Sequence, residues 1–279
     1  MTTGRLKIGV FDSGFGGLTV LRALLPLLPH AEFLYLGDTA RLPYGSKSRA
    51  TIVRYALSST RFLIEQGADF LVIACNTATA LALKEIHDAS PAPVLGVIET
   101  GANEARSRSK TGDILVIGTD ATIGSHAYAA ACRARGLRTL EKACPLLVPL
   151  VEEGWIDHPV TAEVVRIYLT ELLEQAQEAE LDPDTLVLGC THYPLLRPMM
   201  EAAVSPGIRV IDSAQATADQ AARMLASHGL PGQPHGDDTG TLSSRCRFFA
   251  TDSVAKFQGL GARFLGSAID EVELVDLGG

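Results

Sequence analysis

Leu71-Val-Ile-Ala-Cys75-Asn-Thr77 is an apolar, β-branched run that ends on a small residue and a thiol. It then passes into Ala78-Thr-Ala-Leu-Ala-Leu-Lys84, a stretch of helical character. This reads as a short buried strand feeding a helix, with the cysteine at the junction. The pattern returns 115 residues later as Leu186-Val-Leu-Gly-Cys190-Thr-His192. Ile8-Gly-Val-Phe-Asp12-Ser-Gly14 is matched by Leu115-Val-Ile-Gly-Thr119-Asp-Ala121 at an offset of 107. Two matched pairs in the same order indicate two related half-molecules.

Working outward, further strand-like runs lie at Lys7 to Phe11, Phe33 to Leu36, Phe70 to Ala74, Val94 to Ile98, Ile114 to Gly118, Leu186 to Gly189, Ile208 to Ile211 and Arg247 to Ala250. Helical periodicity fills Leu18 to Leu28, Ser48 to Gln66, Ser125 to Arg133, Thr161 to Ala179 and Ala214 to Ser227. The alternation predicts an α/β protein of two pseudosymmetric domains, each a mostly parallel sheet flanked by helices. Gly67 and Gly136 mark helix ends, and Asp252-Ser253 opens a last helix that stops near Gly266. The expected division is 1–99 with 211–279 as the first domain and 100–210 as the second. Gly229 to Gly240 reads as an exposed, mobile connection.

Composition narrows the function. At 279 residues the chain is long enough for about two cores. Lys and Arg number 24 against 32 Asp and Glu, a net charge of −8, which disfavours a phosphate-binding surface, so no nucleic-acid partner is expected. The five cysteines contain no C-x-x-C pair, which suits free thiols in a reducing compartment rather than a disulfide framework or a zinc knuckle. No apolar run reaches the roughly 18 residues that cross a bilayer. A cytoplasmic protein without a membrane partner is expected.

Ligands of open parallel sheets bind at the carboxyl ends of strands, which is where Cys75 and Cys190 fall. Free backbone N–H groups and a helix dipole there favour a thiolate, so both cysteines are expected to be activated. Cys132, Cys144 and Cys246 lack that setting and read as buried structural thiols. Asp12 also ends a strand, before Ser13-Gly-Phe-Gly-Gly17, where it could cap a helix or stand beside an anion site. The segment is not G-x-G-x-x-G, since Thr19 takes the third glycine position, and no Walker loop exists. Gly37-Asp-Thr-Ala-Arg-Leu-Pro-Tyr44-Gly45-Ser-Lys-Ser48 is a polar loop at the same sheet edge that could line a ligand or simply cover the surface. His192 lies near enough to Cys190 to exchange protons. Glu152 could orient that histidine, although spacing alone reads it as a solvated loop acid. No zinc-ligand spacing occurs, and the six lysines give no distinctive pyridoxal site.

Phe11-Asp-Ser-Gly-Phe-Gly-Gly-Leu-Thr-Val20, Gly37 to Gly45, Ala74-Cys-Asn-Thr-Ala-Thr-Ala80, Pro149-Leu-Val-Glu-Glu-Gly154 and Leu188-Gly-Cys-Thr-His-Tyr-Pro194 together closely resemble the glutamate racemases of the aspartate/glutamate racemase family. The resemblance runs in register through residues 7 to 215. It implies two α/β domains with the active site between them, and a cofactor-independent racemase supplying D-glutamate for peptidoglycan. By resemblance, Cys75 takes the α-proton from D-glutamate and Cys190 from L-glutamate, Asp12 and His192 assist on opposite sides, and Glu152 partners the histidine. Substrate contacts match Asp12, Ser13, Tyr44, Gly45, Asn76, Thr77, Thr119, Thr122, Thr191 and His192. No cofactor or metal is implied, glutamate is the small-molecule partner, and a homodimer stays open. Leu42 takes a place where relatives often carry another large apolar residue.

The residues themselves support this chemistry. Inverting a carbon that bears hydrogen needs one group to remove a proton from one face and a second to return one to the other. Two thiols suffice. Three rivals stand beside this reading: an aspartate racemase of the same family, an amidase or hydrolase using a single cysteine nucleophile with His192, and a non-enzymatic amino-acid sensor.

Overall fold

The structure is a computed structural model that describes residues 5–227 and 242–278. The connection expected at Gly229 to Gly240 lies outside the described residues. Ten strands occur among those described: β1 (Lys7–Asp12), β2 (Glu32–Gly37), β3 (Phe70–Ile73), β4 (Val94–Gly96), β5 (Asp113–Gly118), β6 (Arg138–Ala143), β7 (Thr185–Gly189), β8 (Arg209–Asp212), β9 (Cys246–Ala250) and β10 (Glu273–Leu274). They form two all-parallel sheets, ordered β10-β9-β2-β1-β3-β4 and β6-β5-β7-β8.

The internal repeat is written into that topology. β2-β1-β3-β4 and β6-β5-β7-β8 have the same order, so β1 corresponds to β5 and β3 to β7. Asp12 and Thr119 then occupy equivalent strand ends, as do Cys75 and Cys190. The chain after β8 extends the first sheet only, since β9 pairs with β2 and β10 with β9. The whole of β8 pairs with β7, so the second sheet runs to Asp212, and a division at 210/211 passes through this strand.

The helices are α1 (Leu18–Leu27), α2 (Arg49–Glu65), α3 (Asn76–Ala89), α4 (Val97–Arg108), α5 (Asp120–Gly124), α6 (Ala127–Arg133), α7 (Leu147–Glu152), α8 (Pro159–Glu178), α9 (Arg197–Ala203), α10 (Ala214–Ser227), α11 (Leu242–Arg245) and α12 (Val254–Leu265). Ser48 caps α2 and Thr119 caps α5 with their side-chain oxygens, and Cys75 caps α3 with its sulfur. Helices α2 and α6 give way at Gly67 and Gly136, both in the left-handed region as their sequence signals implied. The largest apolar core joins the two sheets, combining Val10 and Val72 of the first with Leu115, Ile117, Leu186 and Leu188 of the second. Each such aliphatic side chain removed from water contributes about 2 kcal/mol.

Three local readings change. The strand expected over Val94 to Ile98 ends at Gly96, because Val97 and Ile98 bury their side chains as the first turn of α4. A short apolar run fits either state, and only packing separates them. The helix expected over Ser125 to Arg133 starts at Ala127, since Ser125 closes α5 and His126 is left-handed at φ 55°. β6, with sequence RTLEKA, was not expected: it is a half-buried edge strand without an apolar run to announce it.

Candidate active site

The loops after β1, β3, β5 and β7 converge between the sheets. They enclose a narrow cavity. Cys75 and Cys190 both line it, with Ser13, Tyr44, Gly45, Asn76, Thr77, Thr119, Glu152, Thr191 and His192. Asp12 and Thr122 stand behind this lining. Leu42 and Pro43, from the loop that could line a ligand, and Val148 supply apolar wall.

On the first side, the Cys75 sulfur accepts the Ala78 N–H at 3.4 Å and its thiol donates to Ser13 Oγ at 3.5 Å. Burial pushes this thiol from 9.0 up to about 12, and the Asp12 charge adds to the rise, while Ser13 and the backbone N–H groups oppose it. The sequence reading expected a thiolate here. Desolvation outweighs the helix terminus, and Cys75 rests as a neutral thiol.

Asp12 is fully buried and lies outside the cap position of α1, which Gly17 holds, although its carboxylate also engages the Gly17 backbone N–H there. Its carboxylate accepts the Gly14 N–H at 3.0 Å and the Thr191 hydroxyl at 3.3 Å. Burial raises its pKa against the opposing pull of His192 and these hydrogen bonds.

On the second side, His192 Nδ1 lies 3.9 Å from Cys190 Sγ, and its Nε2 lies 3.2 Å from Glu152 Oε1, close but not aligned as a hydrogen bond. Burial disfavours the imidazolium, yet Cys190 and Glu152 together outweigh it and hold the ring at about 10, well above 6.5. Glu152 is therefore no solvated loop acid. It ends α7 with its side chain 12% exposed, and Lys256 Nζ of α12 stands 4.0 Å from it. Phe264, also from α12, meets the His192 ring edge-on at 5.6 Å.

The two sides are stitched together by hydroxyls. Thr77 of α3 lies 3.0 Å from both Thr119 and Thr122, which lie 3.0 Å from each other. Gly45 rests against Thr119 so closely that an added Cβ would stand 2.5 Å from the threonine Cβ. Only glycine permits this approach.

Tyr44 is buried and its hydroxyl donates to Asp38. Asp38, fully buried, also accepts from Arg41 Nε at 2.8 Å and from Thr251 Oγ1 at 2.9 Å. Nothing in the loop's own sequence gives Asp38 or Arg41 a task. An acid in a turn carries no local sign that it will be buried by a strand some 200 residues away. Among the described residues, no group of three His, Cys, Asp or Glu side chains could hold a metal ion.

Residues 18–221 match the family model described as Asp/Glu/Hydantoin racemase. The chain is 51% identical to a glutamate racemase of Koribacter versatilis over the full length of both. Among solved structures, the glutamate racemase isoform RacE1 of Bacillus anthracis superposes with a TM-score of 0.88 at 36% identity, over 99% of each chain. The glutamate racemase of Francisella tularensis, solved with D-glutamate, gives 0.86 at 32% identity over 98% of each.

Proposed function

Since the chain belongs to the Asp/Glu/Hydantoin racemase family, we propose that it interconverts L- and D-glutamate through Cys75 and Cys190, without a cofactor. The observation that carries this reading is the pair of thiols at equivalent strand ends, lining one cavity. In one direction the Cys75 thiolate takes the α-proton of D-glutamate and becomes a thiol. The electron pair stays on the planar α-carbon, and the Cys190 thiol delivers its proton to the opposite face, leaving a thiolate. The reverse direction exchanges the roles. The α-ammonium of the arriving substrate brings positive charge that favours a thiolate, which offsets part of the burial penalty on Cys75. Hydroxyls and N–H groups of Ser13, Asn76, Thr77 and Thr191, which line the cavity, would hold the carboxylates and stabilise the carbanion.

His192 would act on Cys190, its imidazolium supporting the thiolate that remains after protonation, with Glu152 balancing the charge. Asp12 would act on the Cys75 side from behind the lining, orienting Thr191. Tyr44 and Gly45 would form the wall of the first lobe and Thr119 that of the second, with Thr122 backing Thr119 from behind. The product D-glutamate would serve peptidoglycan synthesis in the cytoplasm, in keeping with the family.

The experiment is incubation of L-glutamate with dialysed protein in D2O. Deuterium at Cα together with loss of optical rotation is expected, and neither should respond to EDTA or to a carbonyl reagent. Retention of both the α-hydrogen and the rotation would overturn the proposal, and faster turnover of aspartate than of glutamate would reassign the substrate.

A further inference from the structure

Tyr128 lies in the first turn of α6 and is fully buried, and it does not line the cavity. It nevertheless touches both thiol-bearing segments. Its hydroxyl donates to Asn76 Oδ1 at 2.7 Å, and Asn76 directly follows Cys75. Its ring lies on Gly189, which directly precedes Cys190: a Cβ added there would stand 3.0 Å from Tyr128 Cε2 and 2.8 Å from the Ile117 carbonyl oxygen. A side chain at 189 would have to move either the ring or the backbone of β5. Glycine lets the ring seat directly on the strand end. Ile98, Val116, Cys132 and Val187 share the apolar cluster that surrounds the ring, so its direction is fixed by close packing.

We propose that Tyr128 is a positioning residue that spans from Asn76 to Gly189, fixing how far apart Cys75 and Cys190 are held across the cavity. It also engages Asn76 Oδ1, so the amide nitrogen is the group Asn76 offers to the cavity. The role rests on the two-thiol reading above. A hydrogen bond from one lobe and a ring contact on the other make a single rigid side chain the gauge between two strand ends that belong to different sheets.

Tyr128→Phe keeps the ring on Gly189 and removes the hydroxyl, while Asn76→Ala breaks the same bond from its other end. Loss of one such hydrogen bond is expected to lower kcat/KM for glutamate by about threefold to tenfold in Tyr128→Phe. If the tyrosine acts through Asn76, adding Tyr128→Phe to Asn76→Ala changes kcat/KM by less than about twofold. Labelling by iodoacetamide supplies a readout independent of turnover. Both single variants should label Cys75 and Cys190 at least about threefold faster than the unmodified protein, with Cys246 in β9 unchanged as the control for global opening. Equal kinetic losses in both backgrounds would overturn the proposal, as would labelling of the two site thiols that rises only in step with Cys246. Failure of the unmodified protein to racemise glutamate would sink the two-thiol reading alone, and the labelling would still decide whether Tyr128 holds the strand ends.

Discussion

Thr191 Oγ1 donates to Asp12 Oδ1 at 3.3 Å, joining the residue after Cys190 in one lobe to the acid that ends β1 in the other. The bond crosses the cleft, and the carboxylate it reaches also raises the Cys75 thiol. One acid thus influences both halves of the site.

Asp12→Asn keeps the shape and removes the charge. The Asp12 carboxylate pushes the Cys75 pKa upward, so its loss should lower that pKa. The pH at which Cys75 alkylation reaches half its maximal rate is expected to fall by ~0.5 unit or more. An unchanged profile would show that Asp12 does not act on this thiol.

Cys75→Ser and Cys190→Ser should each depress racemisation by about 10²–10⁴-fold, because a serine hydroxyl is too weak an acid to take over proton transfer at neutral pH. Polarimetry on both variants measures this. Full racemisation by either one would overturn the two-thiol mechanism.

Alkaline stability should follow His192. Its pKa in the folded protein, about 10, lies above 6.5, so folding favours the charged ring. That contribution is complete below pH 6.5, fades as the pH climbs toward 10, and is then gone. Cys75, raised from 9.0 to about 12, adds a second loss that starts only above pH 9.0. Urea unfolding midpoints should therefore fall less steeply between pH 7 and 9 in His192→Gln than in the unmodified protein. Equal slopes would contradict the assignment.

Asp38→Asn removes the charge that faces Arg41 and accepts the Tyr44 hydroxyl inside the fold. Breaking one partner of a buried ion pair costs about 3–5 kcal/mol, with the lower end expected here because Arg41 is partly exposed and the amide retains an acceptor. KM for glutamate should rise with the loss, since Tyr44 lines the cavity. Guanidinium denaturation and steady-state kinetics test the two halves of this expectation.

The residues that carried most sequence information were those whose local chain settings are sufficient. Leu71 to Ala74 and Leu186 to Gly189 announced buried parallel strands because both faces of such strands are apolar, and the thiols that follow them were placed by that fact alone. The repeat at offsets of 115 and 107 predicted matching strand ends, and the sheet orders agree. β6 escaped because an edge strand has one solvated side and no continuous apolar run. Glu152 looked solvated because nothing near it in sequence reveals that His192 and Lys256, 40 and 104 residues away, will surround it.

By itself the chain determined the α/β class, the duplication, and which side chains stand at strand ends, because periodicity and turn chemistry are local properties. Tertiary structure alone decided that Cys75 rests protonated, that Asp38 clamps Tyr44, and that Tyr128 touches the neighbours of both cysteines. Desolvation and close contact depend on atoms brought together from distant segments, and those sums are not written in any stretch of sequence.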